Sequence, residues 1–356
     1  MTTPSAADSP IISVDAMGGD RGPSAVVAGL AKALRADPEL RFRLHGPEGE
    51  LAPLLRRRAE LEKRCAVTHA ESFIGMEEAP RQALRRAGET SMWSALDAVA
   101  SGEAHSAVSC GNTGALMLMS VQRLGVAEGV DRPAIAVFWP SRAAGGFNIV
   151  LDAGGDLRAD PGSLAEYAAM GAEYARVGLA LERPRVGLLN VGSEETKGRS
   201  ELREARRLIA DAAEACRFDA VGFVEGGDLG GDRADVIVTD GFTGNIALKT
   251  AEGTAGFIGG ELRTAFNRGP VSKVLGALAY APLARMKRRI DPRRVNGGVF
   301  LGLAKPVVKS HGGSDATGVA AAVALAARMA RRGFAQRVAE SVAALRPSEV
   351  SRTAAL

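Results

Sequence analysis

The stretch Ile11-Ile-Ser-Val-Asp15-Ala-Met-Gly-Gly-Asp20 decides the fold class. A short, mostly β-branched run enters a Gly-Gly turn, and a helical pattern rich in Ala and Leu follows over 24–35. Strand, glycine turn and helix in that order make the first half of a βαβ unit. The alternation continues along the chain. Strands are predicted at 11–15, 41–45, 107–109, 134–139, 148–151, 186–190, 220–224 and 236–239, with helices at 24–35, 95–101, 164–181 and 201–216 among those between them. This pattern predicts an α/β fold, a mainly parallel sheet with helices on both faces.

A chain of 356 residues can bury a large core. The reading is a single α/β domain over 11–346 between flexible ends at 1–10 and 347–356. The polar start lacks the basic and apolar segments of a secretory signal, and no apolar run is long enough to span a bilayer. Cys65, Cys110 and Cys216 are scattered without metal-ligand spacing, which fits a reducing compartment. These features predict a cytoplasmic protein without a bound metal or cofactor. The net charge is +4, with basic clusters at 56–58 and 285–294, but aromatics are only 4% and no nucleic-acid motif is present. An acidic protein partner or an anionic membrane surface fits that charge better than nucleic acid.

The segment 253–292 reads differently from the rest. Phe257, Ile258, Leu262 and Phe266 recur at helical spacing, Gly269-Pro270 breaks the pattern, and Val271, Leu275, Leu278 and Leu283 resume it before the basic cluster. This predicts a projecting helical hairpin, suited to a dimer interface, to a membrane surface, or to both.

Four glycine-rich segments stand where a strand gives way to a helix: Asp15-Ala-Met-Gly-Gly-Asp20, Ser109-Cys-Gly-Asn-Thr-Gly114, Asp240-Gly-Phe-Thr-Gly-Asn245 and Lys309-Ser-His-Gly-Gly-Ser-Asp315. Such turns are expected to gather at the carboxyl edge of the sheet, where free amides and helix dipoles favour a phosphate or oxyanion. The candidate phosphate- or substrate-binding residues are therefore Gly18, Gly19, Gly111, Asn112, Thr113, Asp240, Lys249, Lys309 and Ser314. Asn245, Lys197 and His311 are the candidates for catalysis. Lys197 leaves a strand within Asn190-Val-Gly-Ser-Glu-Glu-Thr-Lys-Gly198, and it reads equally as a solvated loop tip or an oxyanion clamp. His311 alone of the four histidines lies inside a glycine-rich loop, whereas His45, His69 and His105 read as structural. Cys110 sits in a small-residue context suited to packing rather than covalent catalysis.

Taken together with Arg132-Pro-Ala134, Phe223-Val-Glu-Gly-Gly-Asp228 and Val307-Val-Lys309, these segments resemble, in order and over nearly the whole chain, the bacterial phosphate acyltransferases of the PlsX type. The resemblance implies a three-layer α/β/α sandwich with a mixed, mainly parallel sheet like that of the isopropylmalate dehydrogenases. It also implies a homodimer with peripheral membrane contact. The implied reaction moves a long acyl group from acyl carrier protein to inorganic phosphate, early in phospholipid synthesis, with a glycerol-phosphate acyltransferase downstream. Cys110, Gly313 and the Leu151-Asp-Ala-Gly-Gly-Asp156 segment depart from the family's usual pattern. Rival readings are a phosphotransacetylase-like enzyme using acyl-coenzyme A, a nicotinamide-dependent decarboxylating dehydrogenase suggested by 311–318, and a membrane scaffold without activity.

Overall fold

The computed structural model describes residues 9–289 and 298–345. Among them, eleven strands form one sheet: β1 Ile11–Asp15, β2 Arg41–Gly46, β3 Cys65–His69, β4 Ser106–Ser109, β5 Ala134–Pro140, β6 Phe147–Leu151, β7 Arg185–Leu189, β8 Asp219–Val224, β9 Val236–Val238, β10 Gly298–Leu301 and β11 Val307–Lys309. The helices are α1 Gly22–Ala36, α2 Glu48–Arg56, α3 Ala59–Glu62, α4 Pro80–Arg85, α5 Ser91–Ala100, α6 Thr113–Leu124, α7 Pro161–Gly178, α8 Ser200–Ala212, α9 Gly241–Asn267, α10 Pro270–Arg289, α11 Ala316–Arg331 and α12 Phe334–Ala343.

The strand order is β3-β2-β1-β4-β11-β10-β5-β6-β9-β7-β8. β1 to β4 and β11 are parallel to their neighbours, as are β6 to β9, but β10 runs antiparallel to both β11 and β5, and β6 antiparallel to β5. The sheet is therefore two parallel halves of opposite direction joined through the centre. The expectation of one shared carboxyl edge is corrected here: the turns after β1, β4 and β11 leave one end of the sheet, while those after β6, β7 and β9 leave the other. Sequence reading missed β3, β10 and β11, two of which are only four and three residues long.

Two helical layers cover the sheet. On one face α1, α7, α8, α11 and α12 enclose the largest core, with Tyr167 and Tyr174 of α7 wholly buried. On the other, α5 and α6 cover Ala107, Ile135, Phe300 and Val307. Gly171 lets α7 lie close to the strands, since a side chain there would meet Val236 at 2.6 Å. α9 starts at the end of β9, earlier than the expected position 253, and with α10 it carries an exposed apolar surface that includes Phe257, Val271, Leu275 and Leu278. Residues 290–297, with Pro292, lie outside the described residues, and no described helix is long and apolar enough to cross a membrane.

The histidines outside the glycine loops serve local structure. His69 and His105 accept backbone amides from Glu48 and Ile11 through Nδ1. His45 is buried beneath α5. Ser13 Oγ donates to the Ala95 carbonyl (2.7 Å) and so accepts from His45 Nε2 (2.9 Å), leaving Nδ1 to accept from Ser94 Oγ (2.8 Å). Burial, reinforced by the nearby Arg43 charge, pushes the imidazole down to about 3. An unfolded histidine takes a proton near pH 6.5, so between those values unfolding binds a proton and stability falls as pH drops. Denaturant melts between pH 6 and pH 4 are expected to lose roughly 1.4 kcal/mol per pH unit from this group. His45→Gln should flatten that slope; an unchanged slope would mean that another group carries it.

Candidate active site

A pocket of about 580 Å³ opens on the face of the central strands between α6 and α9. Ile135 and Val137 of β5 and Gly298 of β10 make its floor, Met117, Leu118 and Leu248 its walls, and Leu157 its rim. Thr113, Lys309, Ser310 and His311 border it from the turns after β4 and β11. Ala153, Gly154, Asn245 and Lys249 border it from the turns after β6 and β9. Turns that leave opposite ends of the sheet thus meet over its reversed centre.

Lys309 ends β11 almost completely buried. Its ammonium donates to the carbonyls of Cys110 (3.3 Å) and Ser310, so among the described residues two of its three N–H bonds are held and the third remains for the pocket. Burial pulls its pKa down to about 8, against a smaller opposing pull from Cys110, Asp20 and Asp15. His311 is exposed at the rim, and its Nδ1 accepts the Gly313 amide (3.1 Å), which leaves the proton of the neutral ring on Nε2. The amides of Thr113 and Gly114, in the first turn of α6, have no intrahelical partner and carry the positive end of the helix dipole. Asn245 projects from the start of α9 with no side-chain hydrogen bond among the described residues, while Lys249 pairs with Glu252 at 2.8 Å.

Other predicted residues do different work. Asn112 caps α6 by accepting the Ala115 amide, and its side-chain amide donates to the carbonyls of Met76 (2.9 Å) and Glu78 (2.8 Å), so its polar atoms pin the 75–78 loop instead of facing a ligand. Asp240 caps α9 through the Thr243 amide and meets Arg199 at 3.2 Å. Buried Ser314 accepts from Ser310 Oγ and holds the His311 loop. Gly18, Gly19 and Gly111 lie outside the pocket lining, and they admit other loops rather than a ligand. A side chain on Gly18 would meet the Gly111 amide at 2.6 Å, and one on Gly19, whose φ is +97°, would meet the Gly312 carbonyl at 2.8 Å. Lys197 is half-exposed on its loop and pairs with Glu194 at 2.9 Å, away from the pocket lining. β7 lies beyond β9 toward the β8 edge of the sheet, a placement that spacing along the chain could not reveal.

Two buried carboxylates shape the surroundings. Asp15 accepts from Ser91 (2.7 Å) and Ser109 (2.6 Å) and from the Met17 and Gly18 amides, tying the first turn to the second. Asp152 accepts the amides of Ile135, Gly154, Gly155 and Asp156 and fixes the 153–156 turn at the pocket edge. Burial pushes its carboxyl up, and those four amides pull it back. Buried Cys110 has its thiol pushed up by desolvation, the reverse of nucleophile activation. Sequence reasoning missed the apolar floor, because Gly298 opens an unrecognised strand and Ile135 and Val137 were placed only as part of the strand at 134–139.

A family model described as "Fatty acid synthesis protein" matches residues 11–337. A phosphate acyltransferase from Paracoccus denitrificans (strain Pd 1222) is 58% identical over 345 residues, 96% of this chain and 93% of its own. Another from Ruegeria pomeroyi is 55% identical over 356 residues, 99% of this chain and 96% of its own. Among solved structures, a phosphotransacetylase from Streptococcus pyogenes is similar in fold, with a TM-score of 0.62 at 17% identity over 91% of this chain and 94% of its own. Matched from its first strand into its last helix, the chain belongs to the phosphate acyltransferases of the fatty acid synthesis family.

Proposed function

We propose that this acyltransferase takes a long acyl group from acyl carrier protein and places it on inorganic phosphate, an early step of phospholipid synthesis. The observation that carries the reading is the buried Lys309 ammonium at the polar end of a pocket whose floor is apolar. The dianion of phosphate is already a nucleophile, so the protein's task is to position it and to balance charge. Phosphate rests against the first-turn amides of α6 and the free N–H of Lys309, with Asn245 facing it across the pocket. One of its oxygens attacks the thioester carbonyl; the new C–O bond forms, the carbonyl oxygen gains charge, and the C–S bond then breaks. His311 donates its Nε2–H to that oxygen as the charge develops. The sulfur departs as a thiolate, whose modest basicity allows it to leave before taking a proton from water.

The same reading places a cytoplasmic homodimer at the inner face of the membrane, handing its acyl phosphate to a glycerol-phosphate acyltransferase. Its support is the exposed apolar surface of α9 and α10, where Leu278 is 74% and Val271 72% exposed. We also treat residues 11–346 as one catalytic domain from which that hairpin projects.

Purified protein given long-chain acyl carrier protein and phosphate is expected to yield hydroxylamine-trappable acyl phosphate only when phosphate is present. No product from a competent donor would sink the reading, and product from acyl-coenzyme A alone would change the donor. Lys309→Met should lower turnover by about 100-fold or more, the scale of losing a preorganised charge, without lowering the thermal midpoint. Lys197→Ala should stay within about threefold of the parent, as suits a surface ion pair. Because the ammonium is the active form and its pKa lies near 8, kcat/KM should fall as pH rises through about 8, and the residual activity of Lys309→Met should lack that limb. A limb that persists unchanged in Lys309→Met would assign it to a different group.

A further inference from the structure

The pocket floor lacks a side chain at one definite place. Gly298 pairs with Lys309 on one side and with Val137 on the other, and both pairings are antiparallel. Residues directly opposite each other in antiparallel strands point to the same face. Lys309, Gly298 and Val137 therefore form one row across the sheet, cation, gap and apolar side chain, at about 5 Å per step. A Cβ built on Gly298 would meet Ile135 Cγ2 at 2.9 Å, closer than side chains pack, and Val137 Cγ1 at 4.0 Å, so a side chain here would press on Ile135 and raise the floor. Beyond that row, Leu118 of α6 and Leu157 of the turn after β6 are 38% and 59% exposed, and both line the same pocket. Two apolar side chains from separate elements thus face one opening with little protein against them.

We infer that Gly298 is the passage for the acyl chain and a determinant of acyl length. The reacting carbonyl sits beside Lys309, and the chain crosses Gly298 onto Ile135 and Val137 and leaves between Leu118 and Leu157. The inference rests on the acyl-transfer reading above and names the residue that selects a long, flexible acyl group within it. A side chain at 298 separates the polar end from the apolar floor, which harms a long chain and spares a short one in proportion. Nothing in the chemistry at Lys309 and His311 requires that gap, so its effect belongs to chain length.

The test compares palmitoyl and butyryl groups on the same carrier protein, with trapped acyl phosphate as the readout, in Gly298→Ala, Gly298→Val and Leu118→Trp. The palmitoyl-to-butyryl ratio of kcat/KM is expected to fall by about tenfold or more in Gly298→Val, and by less in Gly298→Ala, the scale at which hydrophobic pockets discriminate by a few methylenes. Leu118→Trp, at an exposed helix position, should lower the ratio in the same direction and keeps the test open if Gly298→Val does not fold. An unchanged ratio in Gly298→Ala and Leu118→Trp, or an equal loss with both donors, would overturn the passage. If the unaltered protein makes no acyl phosphate from either donor, the acyl-transfer reading itself fails, a result distinct from an unchanged ratio.

Discussion

β10, only four residues long, hydrogen-bonds β11 along one side and β5 along the other, antiparallel to both. That leaves β11 and β5 running the same way, and the antiparallel β5–β6 pair then turns the second half of the sheet around; the architecture of the site depends on that reversal. Without the reversal, every glycine turn would leave the same end of the sheet, and the turns after β9 and β11 would compete for one edge. With it, the two half-sheets send their turns to opposite ends, and α6 and α9 lie over the same central strands from either direction. The pocket between them has a sheet floor instead of a sheet edge, which allows a polar end and an apolar bed in one cavity.

Much of this was legible in the sequence, because the longer β-branched runs and their glycine turns follow local rules. β1, β2, β5 and β6 sit within a residue or so of their predicted places. β10 and β11 were missed although β4 and β9, equally short, were predicted, and the reversal at the β5–β6 pair was beyond local reading because a strand's period does not give its pairing direction. Gly18 and Gly19 are small because three turns pack on one another, tied by Asp15 to Ser91 and Ser109 and by the Asp20 amide to the Gly312 carbonyl. Asn112 looked like a ligand group and is a helix cap whose amide holds a neighbouring loop. Residue type and spacing are the same in both roles; only the partner distinguishes them.

The charged candidates divide on the same ground. Lys197 and Lys309 both follow strands and both looked suited to an anion. Lys197 has a carboxylate within its own loop, and solvent accounts for the rest of its hydration. Lys309 gave up that hydration and meets backbone carbonyls in place of a counter-charge, so its ammonium is held in a medium that disfavours it.

That cost bears on how the site acts. A lysine whose pKa is lowered by burial opposes folding at every pH below its folded value, because the unfolded chain holds the proton more tightly. An apolar residue of similar length would relieve the cost, so packing alone does not explain a cation at this position. On the proposed function an anionic ligand explains it: a phosphate beside Lys309 would supply a closer counter-charge and raise the affinity of the ammonium for its proton. Binding and protonation then reinforce each other, and the charge is fully present when phosphate is bound. In the proposed reaction the penalty carried by the buried ammonium would thereby become part of the affinity for the nucleophile, with the ladder from β11 through β10 to β5 keeping Lys309 at a fixed distance from the apolar floor.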